Sequence, residues 1–268
     1  VCREVVEDAA ADGVRVLELR FSPEHFVRGT RLDVGGVMQA VCEAGQATAE
    51  EQGMALGFLI TLVLERRDDR AWAKLVDRAV DMHELGVLGV DLAGDEFAHP
   101  NEHFVSTFDR VADTGLLQTS IHAGEGTRAD HVRSAVEALH ARRIGHGISV
   151  EDPAVMEMLA EKGICLEVCP ISNYQTGCVD SLEDHPLPKL ERAGVKVCLN
   201  PDDPTVSRSR LSEDYDVAVS RWGYDLNDLQ RLELNAAEAS FLPAEVMAPW
   251  MERIEQEYKI SVGQGLSG

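Results

Sequence analysis

The chain has 268 residues, 44% of them hydrophobic, with 25 basic and 47 acidic side chains and a formal net charge of −22. Charge of that sign and size argues against nucleic acid and anionic membranes as partners, because phosphate binding needs a basic face, and it disfavours a polyphosphorylated substrate. No apolar run approaches the roughly 18 residues that would mark a membrane span, no secretory signal pattern is present, and the length suits one large domain with a sizeable core.

In chain order, residues 1–11 read as a helix closed by Asp12-Gly13, and 14–21 alternate with the period of a strand stopped by Ser22-Pro23. Residues 36–52 have helical spacing ending at Gly53. The apolar run 54–63 is a strand, 70–85 a helix and 86–92 a strand. A short helix over 103–114 leads to a strand that starts at Leu116 and stops at Ile121-His122. Residues 130–141 form a helix and 143–146 a short strand. The helix 152–162 is closed by Gly163, and the strand 164–169 ends in Pro170-Ile171-Ser172-Asn173. A loop over 174–185, a helix over 187–192, a strand over 195–199 and two or three helices from 212 complete the series. The tail 263–268 reads as loose.

Regular βα alternation with apolar strands means a parallel sheet covered by helices. Polar residues at the C-terminal ends of many strands fit a TIM (β/α)₈ barrel better than an open sheet, in which ligands gather at one switch point. The series has seven strands rather than eight, and the sequence begins with Val1 in what reads as the inside of a helix. The expectation is therefore one barrel domain, with a helical C-terminal extension from about 207 and a first strand outside this sequence.

Three strand ends carry the candidate chemistry: His122-Ala123-Gly124-Glu125, Arg143-Ile144-Gly145-His146-Gly147, and Asn200-Pro201-Asp202-Asp203-Pro204. His122 and Asp202 are metal-ligand types. They are too few to make a catalytic zinc site alone, which needs N/O donors and an open position. His146 could be a further ligand or a base. Glu125, three residues past His122, is placed for proton transfer. Were strand geometry to persist, consecutive Asp202 and Asp203 would point apart, one to a metal and one to a substrate; a capping turn is the alternative. Gly94 suggests close backbone approach to a ligand, or a simple turn. His99 and His103 read as a solvated loop, and His25, His83, His131, His140 and His185 as surface or capping residues. The six cysteines contain no CxxC pair and read as free thiols, mostly core filler, in a reducing cytoplasm.

Taken together, Leu19-Arg20-Phe21-Ser22-Pro23, the Asp91-to-Glu96 stretch, His122 to Glu125, Arg143 to Gly147, Cys169 to Asn173, Ser181 to Pro186 and Asn200 to Pro204 resemble the adenosine deaminase family of bacterial type, in order, from about residue 1 to about 245. The resemblance implies a zinc-dependent barrel of the amidohydrolase kind that converts adenosine or 2'-deoxyadenosine, a small purine nucleoside, to inosine and ammonia. By position, His122 and Asp202 would be zinc ligands and Glu125 would protonate purine N1. His146 would orient the attacking water and help deprotonate it, Asp203 would hydrogen-bond N7, and the Gly94 amide would donate to N3. The family's first strand also supplies a His-x-His ligand pair, and no His-x-His occurs in this sequence. Either that segment lies outside the sequence given or the chain binds zinc poorly. Pro201 stands where the family usually has a hydroxyl residue. The alternatives are a deaminase of adenine or another 6-aminopurine nucleoside, a non-catalytic purine-binding relative, and a different metal hydrolase on the same barrel. The base-flipping zinc deaminases are a poor match, since neither H-x-E nor P-C-x-x-C occurs.

Overall fold

The computed structural model of the chain describes residues 1–126 and 128–263. The chain divides into two compact units, the first made of Val1–His122 and Arg133–Arg142, the second of Ala123–Val132 and Arg143–Gly268.

In the first unit the strands are β1 (Val16–Phe21), β2 (Ala55–Val63), β3 (Val87–Ala93) and β4 (Gln118–Ala123, to His122). They pair parallel in sequence order, with Arg20 beside Leu59, Thr61 beside Asp91 and Asp91 beside Ser120. Helices α1 (Cys2–Ala11), α2 (Pro23–Val27), α3 (Val34–Gln52), α4 (Asp69–Asp81) and α5 (Val105–Asp113) connect and cover them. β2 and β3 are buried almost throughout, the mark of strands covered on both faces. β1 is half-buried at every position, so its period-two alternation does not sort a core face from a wet one.

Close approach of α3 to β2 depends on Gly45. A Cβ there would lie 2.6 Å from Phe58 Cζ. Phe58 is fully buried and meets Phe21 edge to face at 6.3 Å. Phe58→Ala is expected to cost about 3–5 kcal/mol through lost burial and the cavity left behind. A urea titration checks this; a loss under about 1 kcal/mol would show that the site collapses around the gap.

The second unit holds β5 (Arg143–His146), β6 (Cys165–Val168) and β7 (Lys196–Leu199), again parallel and in order. Of helix α6 (Ala129–Ala138), the second unit takes the first turn and the first unit the rest. Also in the second unit are α7 (Pro153–Lys162), α8 (Pro170–Gln175), α9 (Leu187–Arg192), α10 (Pro204–Ser207), α11 (Leu211–Trp222), α12 (Leu226–Ala239) and α13 (Ala244–Gly263). The ion pair of Arg143 Nε with Glu167 Oε1, 2.8 Å, joins β5 to β6, and Arg143 Nη1 donates to the Ala239 carbonyl at 2.9 Å, tying the end of α12 to the sheet.

The strand and helix series matches the sequence reading, with three kinds of correction. The strand expected from Leu116 begins at Gln118 and includes His122 and Ala123. Gly115 turns at φ +63°, and the Thr114 hydroxyl accepts the Leu116 and Leu117 amides, so those two leucines belong to the turn. The expected helix over 70–85 ends at Asp81, followed by a separate 3₁₀ turn over His83–Leu85. Helices α2, α8 and α10 were not expected; each starts at a proline just past a strand. Residues 264–268 of the expected loose tail lie outside the described residues. All six cysteines are free thiols, four of them buried. Among the described residues no helix is long and apolar enough to cross a membrane.

Candidate active site

In the first unit, His122 sits near the end of β4 and its Nδ1 lies 2.9 Å from Asp91 Oδ1. Asp91, on β3, is fully buried. Its other oxygen accepts from the Thr61 hydroxyl of β2 at 3.2 Å and lies 3.7 Å from Arg20 Nη1 of β1. Four neighbouring strands thus contribute one polar group each. The carboxylate holds the ring proton of His122 on Nδ1, which makes Nε2 the lone-pair nitrogen, as a carboxylate behind a metal-binding histidine does. Gly94, just past β3, has φ +134°, and a Cβ there would meet Glu65 Oε2 at 2.5 Å. Glu65 in turn accepts the Asp95 amide at 2.7 Å. A groove of about 790 Å³ lined by Glu24, His25, Glu65 and Arg66 opens in the same unit.

In the second unit, Gly124 turns the chain at φ +71°, and the Ala123 and Gly124 carbonyls accept the Gly147 and Ser149 amides. This clamps the segment bearing Glu125 to the end of β5. His146, almost fully buried, ends β5 at φ +62°. Its Nε2 lies 3.8 Å from Glu125 Oε2, and its Nδ1 3.1 Å from Asn173 Nδ2 on α8. Asp202, past β7, also has a left-handed backbone, φ +58°. The Ser172 hydroxyl donates to Asp202 Oδ2 at 2.6 Å, and ligand atoms of His146 and Asp202 lie within 4.8 Å of one another. Left-handed φ is uncommon outside glycine and costs on the order of 1–3 kcal/mol. Its recurrence at two strand ends that face each other is the kind of strain found at functional sites.

Two expectations change. Strand geometry does not persist through Asp202: its left-handed turn, not a β alternation, separates it from Asp203. Asp203 occupies the N-cap position of α10 without a side-chain cap bond. Of the two readings of His185, surface or capping, the structure keeps the second, for His185 accepts the first amide of α9 and is not at the surface. It is buried, its Nδ1 accepts the Leu187 amide at 3.1 Å, and its ring lies over Trp222 at 5.4 Å. Burial pushes its pKa down to about 4.

That depression links to stability. An unfolded histidine titrates near 6.5, so His185 favours the fold fully above that pH, and the contribution is lost as pH falls toward 4. About 3 kcal/mol is at stake. Urea midpoints between pH 7 and pH 4 should fall less steeply in His185→Gln than in the parent. Parallel slopes would show that His185 does not titrate in this window.

Sequence reasoning missed Arg20, Thr61, Asp91, Ser172, Asn173 and His185 as supporting residues. Arg20, Asp91, Ser172, Asn173 and His185 all lie in the motif stretches, which was the available signal. The donor types fit zinc: imidazole nitrogen and carboxylate oxygen, each already oriented by a partner, Asp91 for His122 and Ser172 for Asp202.

Parallel strands whose C-terminal ends carry oriented histidines and carboxylates define an α/β enzyme with a strand-end active site. Comparison with known proteins makes that specific. The adenosine deaminase family model matches residues 1–257. The chain belongs to the adenosine deaminase family and is a deaminase of the amidohydrolase kind. It is 37% identical over 256 residues to adenosine deaminase of Vibrio parahaemolyticus, covering 95% of this chain and 76% of that protein. Among solved structures it resembles an adenine deaminase from Arthrobacter aurescens (28% identity, TM-score 0.88, 96% of this chain and 78% of that one). It also resembles an amidohydrolase from Burkholderia ambifaria with bound Zn (26% identity, TM-score 0.90, 98% and 73%).

Proposed function

We propose that the protein hydrolyses the 6-amino group of adenosine, or 2'-deoxyadenosine, to give inosine and ammonia, within a single (β/α)₈ barrel domain. The observation that carries this reading is the pairing of two left-handed strand ends, His146 and Asp202, with Glu125 facing His146 at 3.8 Å. Family membership and the 37% identity to an adenosine deaminase support the reaction class.

His122 and Asp202 would supply two of the ligands of zinc, through His122 Nε2 and an Asp202 carboxylate oxygen; the bound Zn in the Burkholderia amidohydrolase supports that metal. Zinc, when bound, lowers the pKa of a coordinated water to about 7. Glu125 protonates purine N1, which withdraws electrons from C6 and opens it to attack. Water adds at C6, and the amino group leaves as ammonia. His146 orients that water from the side of Glu125. Asp203 hydrogen-bonds N7, and the Gly94 amide donates to N3, approaching closely because residue 94 has no side chain. The acidic surface agrees with a neutral nucleoside rather than an anionic nucleotide.

A second reading, adenine as substrate, is favoured by the likeness to the Arthrobacter adenine deaminase. Ultraviolet assays of the purified protein with adenosine, 2'-deoxyadenosine and adenine separate the two. The nucleosides should show the highest kcat/KM; turnover of adenine alone would replace the nucleoside reading with the second one.

A further inference from the structure

We propose that His185 is a positioning residue that, acting through Asn173, fixes the ring proton of His146 on Nε2, so that His146 enters the reaction as a hydrogen-bond donor and not as a base. The role of His146 in the reaction rests on the functional reading above; the position of its proton does not.

The inference follows from one unambiguous donor. The Leu187 backbone N–H points at His185 Nδ1, 3.1 Å away, and a backbone amide can only donate. Nδ1 of His185 is therefore an acceptor. An imidazole keeps at least one N–H, so His185 carries its proton on Nε2. That nitrogen lies 3.4 Å from Asn173 Oδ1, which accepts it. The amide of Asn173 is thereby oriented, with its Nδ2 toward His146. Nδ2 also only donates, and at 3.1 Å it makes His146 Nδ1 an acceptor. The remaining proton of His146 sits on Nε2, the nitrogen that faces Glu125.

Each link is held rigidly. Asn173 is fully buried; its backbone N–H donates to the Cys169 carbonyl at 2.8 Å, and its own carbonyl accepts the Cys178 amide at 2.9 Å. Trp222 lies across the His185 ring and donates its indole N–H to the Leu182 carbonyl at 2.7 Å. Burial keeps His185 neutral at neutral pH, as an acceptor nitrogen requires. The consequence is chemical. A neutral His146 with its proton on Nε2 has no lone pair to offer there. It can hold a water or a developing C6 oxygen by donation, and acceptance of the water's proton falls to a carboxylate.

Long-range ¹H–¹⁵N correlation spectra of the histidine rings, recorded on the full protein with its native metal, test this directly. The expected spectrum has His146 protonated at Nε2 and bare at Nδ1; a proton on Nδ1, or on both nitrogens, overturns the proposal. Asn173→Asp replaces the donor with an acceptor. It should move the His146 proton to Nδ1 and lower kcat about 10- to 100-fold with KM little changed. His185→Leu should mix the two forms. His185→Gln, which can accept from Leu187 and donate to Asn173, should restore the Nε2 form. A His185→Leu spectrum identical to the parent overturns the role of His185 even if Asn173→Asp fails to fold. The parent spectrum is read without turnover, so its failure is separate from failure of the functional reading, which shows as absent deamination.

Discussion

Glu125→Gln is expected to lower kcat for adenosine about 10²- to 10⁴-fold, the range for a lost general acid, while the protein keeps its zinc and its fold. The amide is nearly isosteric with the carboxylate, so the size and shape of this side chain are unchanged. Oε1 of Glu125 lies 3.5 Å from the Thr176 hydroxyl, and a glutamine oxygen can accept there as well. What the amide cannot do is deliver a proton to a ring nitrogen. The loss should therefore fall on kcat and leave metal content unchanged by elemental analysis. Retained activity in the Glu125→Gln variant would remove Glu125 from the reaction.

Asp202→Ala is expected to lose both metal and activity. Asp202 offers a carboxylate oxygen within 4.8 Å of a His146 ring nitrogen, and its left-handed backbone suits Asp better than Ala. Ser172→Ala makes the companion variant. It keeps the carboxylate but removes the 2.6 Å bond that aims it, and should weaken zinc binding about 10- to 100-fold. Metal content after dialysis should then rank parent, Ser172→Ala and Asp202→Ala in descending order. A fully metallated and active Asp202→Ala protein would exclude Asp202 as a ligand.

How much of this was legible in the sequence follows from where the controlling contacts lie. Strands showed as apolar runs between turn residues because β2, β3 and β5 to β7 are buried along most of their length. The C-caps Gly53 and Gly163 showed because only glycine adopts their left-handed φ at little cost. The missed helices share one cause. Pro23, Pro170 and Pro204 read as stops, and each does end a strand region, but a proline at the first helical position also starts a helix, where its missing N–H is not needed.

The site divides in the same way. His122, Glu125, His146, Asp202, Asp203 and Gly94 stand at strand ends and carry recognisable residue types. Their partners do not announce themselves. Asp91 reaches His122 across 31 residues, Ser172 reaches Asp202 across 30, and Asn173 reaches His146 across 27. No periodicity encodes such pairs; only the packing of neighbouring strands and of α8 brings them together. His185 caps α9, one of the two roles read for it, but its burial was missed for the same reason. A lone histidine before a proline looks like a surface residue until Trp222 and Asn173 fold around it.

The most direct measurement is product analysis under metal control. The purified protein is incubated with adenosine as isolated, after chelation, and after zinc is restored. The account predicts inosine and ammonia in equal amounts, loss of turnover with the metal, and recovery with zinc. Adenosine left intact by zinc-replete protein would contradict it.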